Sequence, residues 1–429
     1  MFMSMKLKGR PIMQQKPKGT YDLLPNETIK YQALENHIKK LMELYGYAEI
    51  RTPIFEHSSV FHRKTELSDM VTKETYNFKD KGDRDLTLRP EGTAGAIRAY
   101  VENKLFANQG LTKLYYLGPN FRYERPQKGR FRQFYQFGIE AVGIKSSSLD
   151  AEVIALSYKL IASLGLKQVK IKVNSLGDIA SRSHYKDALT LYFEGHRSEL
   201  CSDCQRRITE NPIRILDCKI DSHKPFVKEA ATPSDYYSEE AKKYFSEVLS
   251  YLDSMGINYE VDKRLVRGLD YYGHTVFEVE ANIKGFGAQN VLGGGGHYEH
   301  LVQELGGPDL DGVGIAFGME RLMMALECEN IQLHEDVKPD FFIITFDKKI
   351  HQKALGLLTK LRDLGFKGDI DHESKGFKGQ LKLAVNSKAK YFIIIGEEEI
   401  EQGLFTLKDS FTQEQEKVTL ETLIKKLGK

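Results

Sequence analysis

The first regular hydrophobic pattern along the chain predicts an amphipathic helix. Apolar side chains between Asn26 and Tyr45 recur at the three- and four-residue intervals of a helix, close to the turn-forming segment LLPNE. The following segment, YAEIRTPIFE, alternates like a strand, but Pro53 inside it indicates an edge strand or a bend. The apolar positions of the predicted helix are Ile29, Leu34, Ile38, Leu41 and Leu44.

Alternating apolar and polar positions predict strands in the next part of the chain, separated by two helical segments. The two longest alternating segments are joined by the basic segment PQKGRF, which is typical of a hairpin with a long charged loop. The strand patterns cover residues 85–90, 111–125, 132–143 and 168–175, and the helical patterns cover 92–106 and 151–165.

The pattern changes at about Asp178. From there to about Met255 the chain is polar and helical, without a long strand pattern, which is typical of an insertion into a larger domain. Strand patterns return over 258–262 and 271–280, and residues 312–329 have the pattern of a strand that leads into a helix.

The last part of the chain alternates buried strands with helices. The apolar runs DFFIITF and YFIIIG alternate with helical patterns over 353–365 and 379–389. Such alternation predicts a compact α/β module with a largely parallel sheet. We therefore expect an α+β protein: an antiparallel sheet flanked by helices, a helical insertion, and a C-terminal α/β module.

Composition agrees with a globular chain of several domains. Its 429 residues exceed one ordinary domain, and 41% hydrophobic residues suffice for sizeable cores. We find no apolar run near the roughly 18 residues of a membrane span, and the basic N-terminal segment 1–17 lacks the apolar stretch of a signal peptide. The net charge of +2 is low for a protein that only coats nucleic acid, so contacts with nucleic acid must depend on local patches.

The cysteines permit two interpretations. Four cysteines are too few to crosslink a chain of this length, so reduced thiols in a cytoplasm are the simpler interpretation. The spacing of Cys201, Cys204 and Cys218, with His223 nearby, is also compatible with zinc, although it is irregular. We favour free thiols, including Cys328, and assign no metal ligand.

The predicted hairpin carries the strongest chemical signal. A guanidinium held on a strand, such as that of Arg122, can clamp a phosphate with two parallel hydrogen bonds, and Phe134 could stack on a purine. Gln136 and Glu140 share the strand face of Phe134. These residues predict the floor of a site, with a solvated basic hairpin as the alternative. The other basic residues of the hairpin are Arg125, Lys128, Arg130 and Arg132.

Two predicted junctions between a strand and a helix carry charged residues. Glu91 and Thr93 could simply cap a helix, which contributes roughly 0.5–2 kcal/mol, or Glu91 could join Glu140 in binding a cationic group such as an α-amine. In the segment GMER, Arg321 lies at a helix start, where a cation opposes the helix dipole, so we expect a bound polyanion there.

The segment VRGLDYYGHTVFEV places an arginine, an aspartate and two tyrosines at the entrance of a strand. A structural alternative is a pair between Arg267 and Asp270 across a turn, with Tyr271 and Tyr272 in the core. The glycine run in LGGGGHYEHLV either lets the backbone approach a ligand closely or forms a tight turn.

These elements resemble class II aminoacyl-tRNA synthetases and, among them, the histidyl-tRNA synthetase family. The resemblance rests on FRYER, GMER, VRGLDYYGHTVFE and LGGGGHYEHLV, and extends from about Lys18 to the end of the chain. It implies that L-histidine is activated with ATP to histidyl-adenylate and transferred to the 3′ end of its tRNA. It further implies Mg²⁺ bound with ATP, no tightly bound organic cofactor, and a cytoplasmic homodimer whose interface includes the segment around Arg51–Phe55.

The resemblance also implies roles for individual residues. Arg267 takes the position of the catalytic arginine, next to histidine, and Arg122 would hold the ATP α-phosphate and the activated carboxylate. Glu124 would lie near adenine, Phe134 under the adenine ring, and Arg321 near the γ-phosphate. The histidine-binding residues would be Glu91, Thr93 and Gln136 at the α-amino group, Glu140 and Tyr272 at the imidazole nitrogens, and Tyr271 and Tyr298 along the pocket. Asp270 would orient Arg267.

The chain departs from the family pattern at one place. Where the family commonly has Arg and Asp, this chain has His297 and Glu299, on either side of Tyr298 at the expected pocket rim. The implied domains are an extension (1–17), a catalytic domain in two parts (18–177 and 258–330), a helical insertion (178–257) and an anticodon-binding domain (337–429). In the last domain, the residues that either face phosphates or are simply solvated are Lys375, Lys378, Lys382 and Lys388.

Two other functions compete with this one. The regulatory subunit of ATP phosphoribosyltransferase, an allosteric protein, typically lacks both the RGLDYY segment and the anticodon-binding domain, and this chain has both. Synthetases for proline, threonine or glycine share the C-terminal module but not the paired tyrosines after RGLD. Histidine-dependent exchange between ATP and pyrophosphate would separate the three.

Overall fold

The computed structural model describes residues 14–428, except 64, 65, 67, 108, 109, 287–289, 335–337 and 374. The chain divides into two compact units, Met1–His334 and Glu335–Lys429. The predicted N-terminal extension lies largely outside the described residues, as does Val337, the predicted first residue of the last domain. Among the described helices, none is long and apolar enough to cross a membrane.

Eleven strands form two sheets in the described part of the first unit. They are β1 (Ala48–Glu49), β2 (Phe55–His57), β3 (Tyr76–Lys79), β4 (Asp85–Leu88), β5 (Thr112–Phe121), β6 (Gln133–Val142), β7 (Val169–Ser175), β8 (Tyr259–Val261), β9 (Tyr272–Ala281), β10 (Val291–Tyr298) and β11 (Gly312–Gly318). The large sheet has the order β1-β5-β6-β11-β10-β9-β7-β8, and the small one β2-β4-β3. Only the edge pairs β1–β5 and β7–β8 of the large sheet are parallel, so the predicted antiparallel sheet is confirmed.

Helices pack against this sheet because their apolar faces bury apolar side chains of the strands. The helices of the unit are α1 (Pro25–Leu44), α2 (Asp69–Lys73), α3 (Thr93–Glu102), α4 (Ser147–Ser163), α5 (Ile179–Glu194), α6 (Ser202–Glu210), α7 (Pro225–Glu229), α8 (Glu239–Ser254), α9 (Leu301–Glu304) and α10 (Met319–Cys328). Residues of α1, α4, α8 and α10 share one hydrophobic core with the strands. Leu34 and Ile38 of α1 are fully buried, whereas Leu44, predicted to be on the same face, is 82% exposed at the helix end.

The helical insertion has a smaller core of its own. This core joins residues between Tyr185 and Ala230 from α5, α6 and α7. Helix α8, which we assigned to the insertion, instead contributes Phe245, Val248 and Leu252 to the core of the large sheet. The sequence did not indicate to which core α8 belongs. An amphipathic helix that follows a polar segment can pack on either core.

The second unit is a five-stranded sheet with helices. Its strands are β12 (Phe341–Thr345), β13 (Gly368–Ile370), β14 (Tyr391–Ile395), β15 (Leu404–Asp409) and β16 (Gln415–Thr419), and its helices are α11 (Lys348–Asp363), α12 (Phe377–Asn386), α13 (Glu397–Gln402) and α14 (Leu420–Leu427). The order is β13-β12-β14-β15-β16. The prediction of a largely parallel sheet holds for β13, β12 and β14 only, because β15 and β16 pair antiparallel. Both lack the full apolar runs on which that prediction relied.

Candidate active site

One cavity of the first unit brings together most of the predicted site residues. It lies over strands β6, β9, β10 and β11, beside the starts of α3 and α10. Glu140 and Tyr298 are the predicted residues that do not line it, since both are buried beneath its floor. The predicted residues that line it are Glu91, Thr93, Arg122, Glu124, Phe134, Gln136, Arg267, Tyr271, Tyr272 and Arg321.

Arg267 projects from the loop before β9 across the neighbouring strand β10. Its Nη1 donates to the carboxylate of Glu278, and its Nε has no hydrogen-bond partner among the described residues. A Cβ on Gly294 would overlap the guanidinium, so the glycine is what allows the arginine to cross the strand. The guanidinium is thus oriented by one carboxylate and keeps a buried donor for a ligand.

Two sequence expectations about this region change. Glu278, rather than Asp270, is the acidic partner of Arg267, while Oδ1 of Asp270 accepts from Nδ2 of Asn211 at 2.7 Å. The glycine run forms strand β10, so the tight-turn alternative is wrong. Neither partner was predictable from spacing, because Glu278, which accepts from Arg267, lies on β9, and Asn211, which donates to Asp270, comes from the insertion.

Glu140 lies under one end of the cavity, held by two phenols. Tyr298 donates to Oε2 at 2.9 Å and Tyr116 donates to Oε1 at 3.1 Å. Burial raises the pKa of Glu140 to about 8, against the lowering effect of the hydrogen bonds. Sequence reasoning missed Tyr116, although it pairs across the β5–β6 ladder with Gly138, whose lack of a side chain makes room for the ring.

Two tyrosines complete this end of the cavity. The ring centroids of Tyr271 and Tyr272 are 4.6 Å apart, and Tyr271 meets Tyr298 edge-on at 6.0 Å. The buried hydroxyl of Tyr271 makes no hydrogen bond of normal geometry in the described part of the chain. Burial raises its pKa well above the ordinary value, so it remains a neutral donor. A small polar ring could satisfy it.

Glu91 and Gln136 lie between the two ends of the cavity. The Glu91 carboxylate accepts from the backbone N–H groups of Thr93 and Ala94, so the helix-capping interpretation is correct. The same carboxylate also lines the cavity. The Oε1 atom of Gln136 accepts from Nδ2 of Asn120 at 2.5 Å, which fixes the orientation of the amide.

The other end of the cavity is cationic. Arg122 donates from Nε to the carbonyl of Pro90 at 2.8 Å, and its Cζ lies 5.2 Å from the centre of the Phe134 ring. Arg321 donates from Nη1 to the carbonyl of Val291 at 2.6 Å. Burial and the nearby charge of Arg130 lower the pKa of Arg321. Cations that repel one another in a partly buried cleft indicate a polyanion site.

The residues that depart from the family pattern form a separate buried cluster. His297 is 1% exposed, and its ring nitrogens lie 2.9 Å from Asp150 and 3.1 Å from Asp311. Although burial opposes the charge, these two carboxylates raise the pKa of His297 to about 9. Glu299 accepts from Arg182 at 2.7 Å. This cluster satisfies its own charges and does not line the cavity.

Comparisons with known proteins identify the kind of fold that carries this cavity. The family model described as Histidyl-tRNA synthetase matches residues 19–322, and the one described as Anticodon binding domain matches 340–429. A Histidine–tRNA ligase of Acholeplasma laidlawii is 57% identical over 409 residues, 95% of this chain and 97% of the relative. One from Bacillus licheniformis is 49% identical over 411 residues, with the same coverages. The crystal structure of apo S. aureus histidyl-tRNA synthetase matches with a TM-score of 0.84 and 42% identity, covering 97% of this chain and 100% of that chain.

Proposed function

The chain belongs to the histidyl-tRNA synthetase family, and we propose that the cavity described above is where it activates histidine. The expected activity, ATP-dependent attachment of histidine to tRNA, is confirmed by the relatives. The observation that carries the proposal for the site is the guanidinium of Arg267, which lies between an acidic, tyrosine-lined end and a cationic end with an aromatic ring. These ends suit an amino acid with a polar ring and a nucleoside triphosphate.

Arg267 is proposed to stabilise the reacting phosphate. A carboxylate oxygen of histidine forms a bond to the α-phosphorus of ATP, the bond to the bridging oxygen of pyrophosphate breaks, and pyrophosphate leaves. Charge develops on the oxygens of the α-phosphoryl group, where a guanidinium held by Glu278 needs no reorganisation. Arg122, which follows β5 and is fixed on the carbonyl of Pro90, supplies a second donor.

ATP is proposed to lie in the cationic end. Phe134 would stack on adenine, and Arg321, which lines the same cavity at the start of α10, would meet the γ-phosphate. Mg²⁺ prefers oxygen ligands, and the carboxylates of Glu124 and Glu320 line the same cavity. With those ligands the ion would neutralise the outer phosphates.

Histidine is proposed to occupy the acidic end. Glu91 and Gln136 would bind the α-amino group, while Glu140 and Tyr272 would bind the imidazole. A site whose buried polar groups require partners rejects ligands that leave them unpaired, by factors of about 10⁴. The unpaired hydroxyl of Tyr271 adds to this selectivity.

The second unit is proposed to bind the anticodon of the tRNA. The rings of Phe346 and Phe377 stack at 4.8 Å and 3°, and Phe346 is 60% exposed. Exposed aromatic rings are the usual platforms for unpaired bases. Lys378 and Lys382 are exposed on α12, the helix that begins at Phe377. Replacing Phe346 with Ala should raise KM for tRNA severalfold while histidine-dependent ATP–pyrophosphate exchange stays unchanged.

A cytoplasmic homodimer with the domain bounds given above also remains a proposal. The expected dimer interface is supported by exposed apolar side chains: Ile54 is 44% exposed and Phe55 is 48% exposed. Phe78 of the small sheet contacts the ring of Phe55. Exposed apolar clusters of this kind are typical of subunit contacts. A Phe55→Glu variant should sediment as a monomer.

The test of the whole proposal is histidine-dependent exchange of pyrophosphate into ATP. Wild-type protein should catalyse exchange with histidine and not with proline, threonine or glycine. Exchange without histidine dependence would refute the proposed amino-acid site. Exchange that does not change in cavity variants would place the chemistry elsewhere.

A further inference from the structure

We propose that the helical insertion holds a structural Zn²⁺ ion, bound by Cys201, Cys204, Cys218 and Asp221. The four ligand atoms, three Sγ and one carboxylate oxygen, lie within 4.8 Å of one another. The cysteines are free thiols rather than a disulfide. Three sulfurs and one carboxylate are a donor set that zinc accepts in a tetrahedral site.

The distances match those that a tetrahedral zinc ion requires. Zinc–sulfur bonds of about 2.3 Å separate two sulfur ligands by about 3.8 Å. The Sγ atoms of Cys201 and Cys218 are 3.9 Å apart, and Sγ of Cys218 is 4.0 Å from Oδ2 of Asp221. Small side-chain rotations are therefore enough to close the site. The fourth position belongs to Asp221, not to His223, which is exposed and outside the cluster.

The surrounding hydrogen bonds are those that orient and stabilise thiolate ligands. The backbone N–H of Ile220 donates to Sγ of Cys218 at 3.4 Å, and Nη1 of Arg207 approaches Sγ of Cys204 at 3.8 Å. Lys224 pairs with the other oxygen of Asp221 at 2.7 Å. Such outer contacts fix ligand orientation and offset the negative charge of a three-thiolate site.

Burial also argues for a ligand. Cys204 and Asp221 are both 0% exposed, and Cys218 is 6% exposed. Lys224 and the backbone N–H of Cys201 already compensate the Asp221 carboxylate, so burial argues for a metal through the thiols: three clustered sulfurs can ionise there only if a cation stabilises them. The insertion core is small and contains no strand among its described residues, and small cores commonly rely on a metal or disulfides.

A zinc ion here would act on the active site at a distance. It would tie the first turn of α6 to the turn at Cys218, and the residue after α6, Asn211, donates to Asp270 beside the catalytic arginine. Ile213 and Leu216, which follow, pack on the core that contains Val266. Loss of zinc should therefore raise KM for histidine severalfold. This expectation rests on the proposed function, whereas the predicted zinc content of the protein is independent of it.

The primary experiment measures metal and thiols in the full-length protein purified under reducing conditions. We expect about one zinc per chain by mass spectrometry, and Co²⁺ substitution should give thiolate-to-cobalt charge-transfer bands. One thiol, Cys328, should react readily with a thiol reagent, and all four should react after chelation. Less than about 0.1 zinc per chain, both as purified and after incubation with Zn²⁺ and dialysis, would overturn the proposal.

Matched variants locate the site. Cys204→Ser and Cys218→Ser should lose the zinc, whereas Cys328→Ser and His223→Ala, which leave the cluster intact, should retain it. Asp221→Asn should weaken zinc retention against a chelator at least tenfold. Full zinc in either cluster variant, or its loss in Cys328→Ser, would refute the assignment. If the cluster variants do not fold, the metal content and chelator-dependent thiol count of the wild type decide the question.

Discussion

The two ends of the active-site cavity differ in how their charges are held, and the difference separates binding from chemistry. At the cationic end, Arg122 and Arg321 donate to backbone carbonyls that orient the guanidiniums, and Glu124 lies 3.9 Å from Nη1 of Arg122. At the acidic end, Glu140 is fully buried and no described cation pairs with it; burial raises its pKa to about 8, although the hydrogen bonds from the two phenols lower it. The cationic end, with more arginines than carboxylates facing it, therefore suits an anionic ligand, and the acidic end suits a ligand that brings hydrogen-bond donors or positive charge.

Arg267 lies between these ends and differs from both. Its partner is a carboxylate, Glu278, so its charge is already balanced and its position is set before a ligand arrives. A preoriented donor aimed at charge that develops only in the transition state raises the rate, whereas contacts made equally in the ground state lower KM. Substitutions at the three places should therefore change different kinetic constants.

The largest effect is expected at Arg267. Arg267→Ala should lower the rate of histidyl-adenylate formation by about 10²–10³, because one preorganised donor to a developing charge contributes about 3 kcal/mol. The dissociation constant of histidine should change less than about threefold. Single-turnover adenylation and equilibrium dialysis measure the two quantities. Arg267→Lys, which keeps the charge but not the planar fork, should fall in between; an adenylation rate near wild type for Arg267→Ala would contradict the catalytic role.

The next effect is expected at Glu140. Glu140→Gln keeps the shape but not the acceptor charge, and should raise KM for histidine about 100-fold with KM for ATP unchanged. Tyr298→Phe removes one of the two phenols that hold the carboxyl group and should give a smaller increase. Steady-state exchange kinetics separate the two KM values. An equal increase in both would mean that the variant disturbs the cavity as a whole.

A smaller effect is expected at the cationic end. Arg321→Ala should raise KM for ATP about tenfold, the usual contribution of one charge-assisted hydrogen bond, and leave KM for histidine unchanged. Arg125→Ala is the matched control, because Arg125 is exposed in the loop that joins β5 to β6 and does not line the cavity. If both variants raised KM for ATP equally, the effect would reflect overall charge and not a specific contact.

The sequence predicted the residues of this cavity better than their partners. The segment VRGLDYY predicted that Arg267, Tyr271 and Tyr272 lie close together, because they belong to one short segment at the start of a strand. The partners of Arg267 and Glu140 depend on register between strands and were missed: Glu278 on β9 and Tyr116 opposite Gly138. Register is a long-range property that no local pattern encodes.

The same limit applies to the fold. Strands with strict alternation, such as β5 and β6, and helices with a clear apolar stripe, such as α1, were predictable within a few residues. The polar hairpin of β15 and β16 was not, because its strands carry little apolar alternation; β15 forms by pairing with β14, and β16 by pairing with β15. The glycine run was ambiguous because glycine is common in turns. Its role in β10 depends on a tertiary contact, since the absence of a side chain at Gly294 makes room for the guanidinium of Arg267.

The smallest expected effect is also the most specific to the acidic end, and it concerns pH. With a pKa of about 8, Glu140 is about nine-tenths protonated at pH 7, so histidine that binds the carboxylate must displace a proton. The affinity for histidine should therefore rise roughly eightfold between pH 7 and pH 8.5, as the carboxyl group ionises. Calorimetry at pH 7 in buffers of different ionisation enthalpy should detect release of nearly one proton per histidine bound. Glu140→Gln should show neither the rise nor the release; if both persist in that variant, the titrating group is not Glu140, and the contrast between the two ends of the cavity needs another explanation.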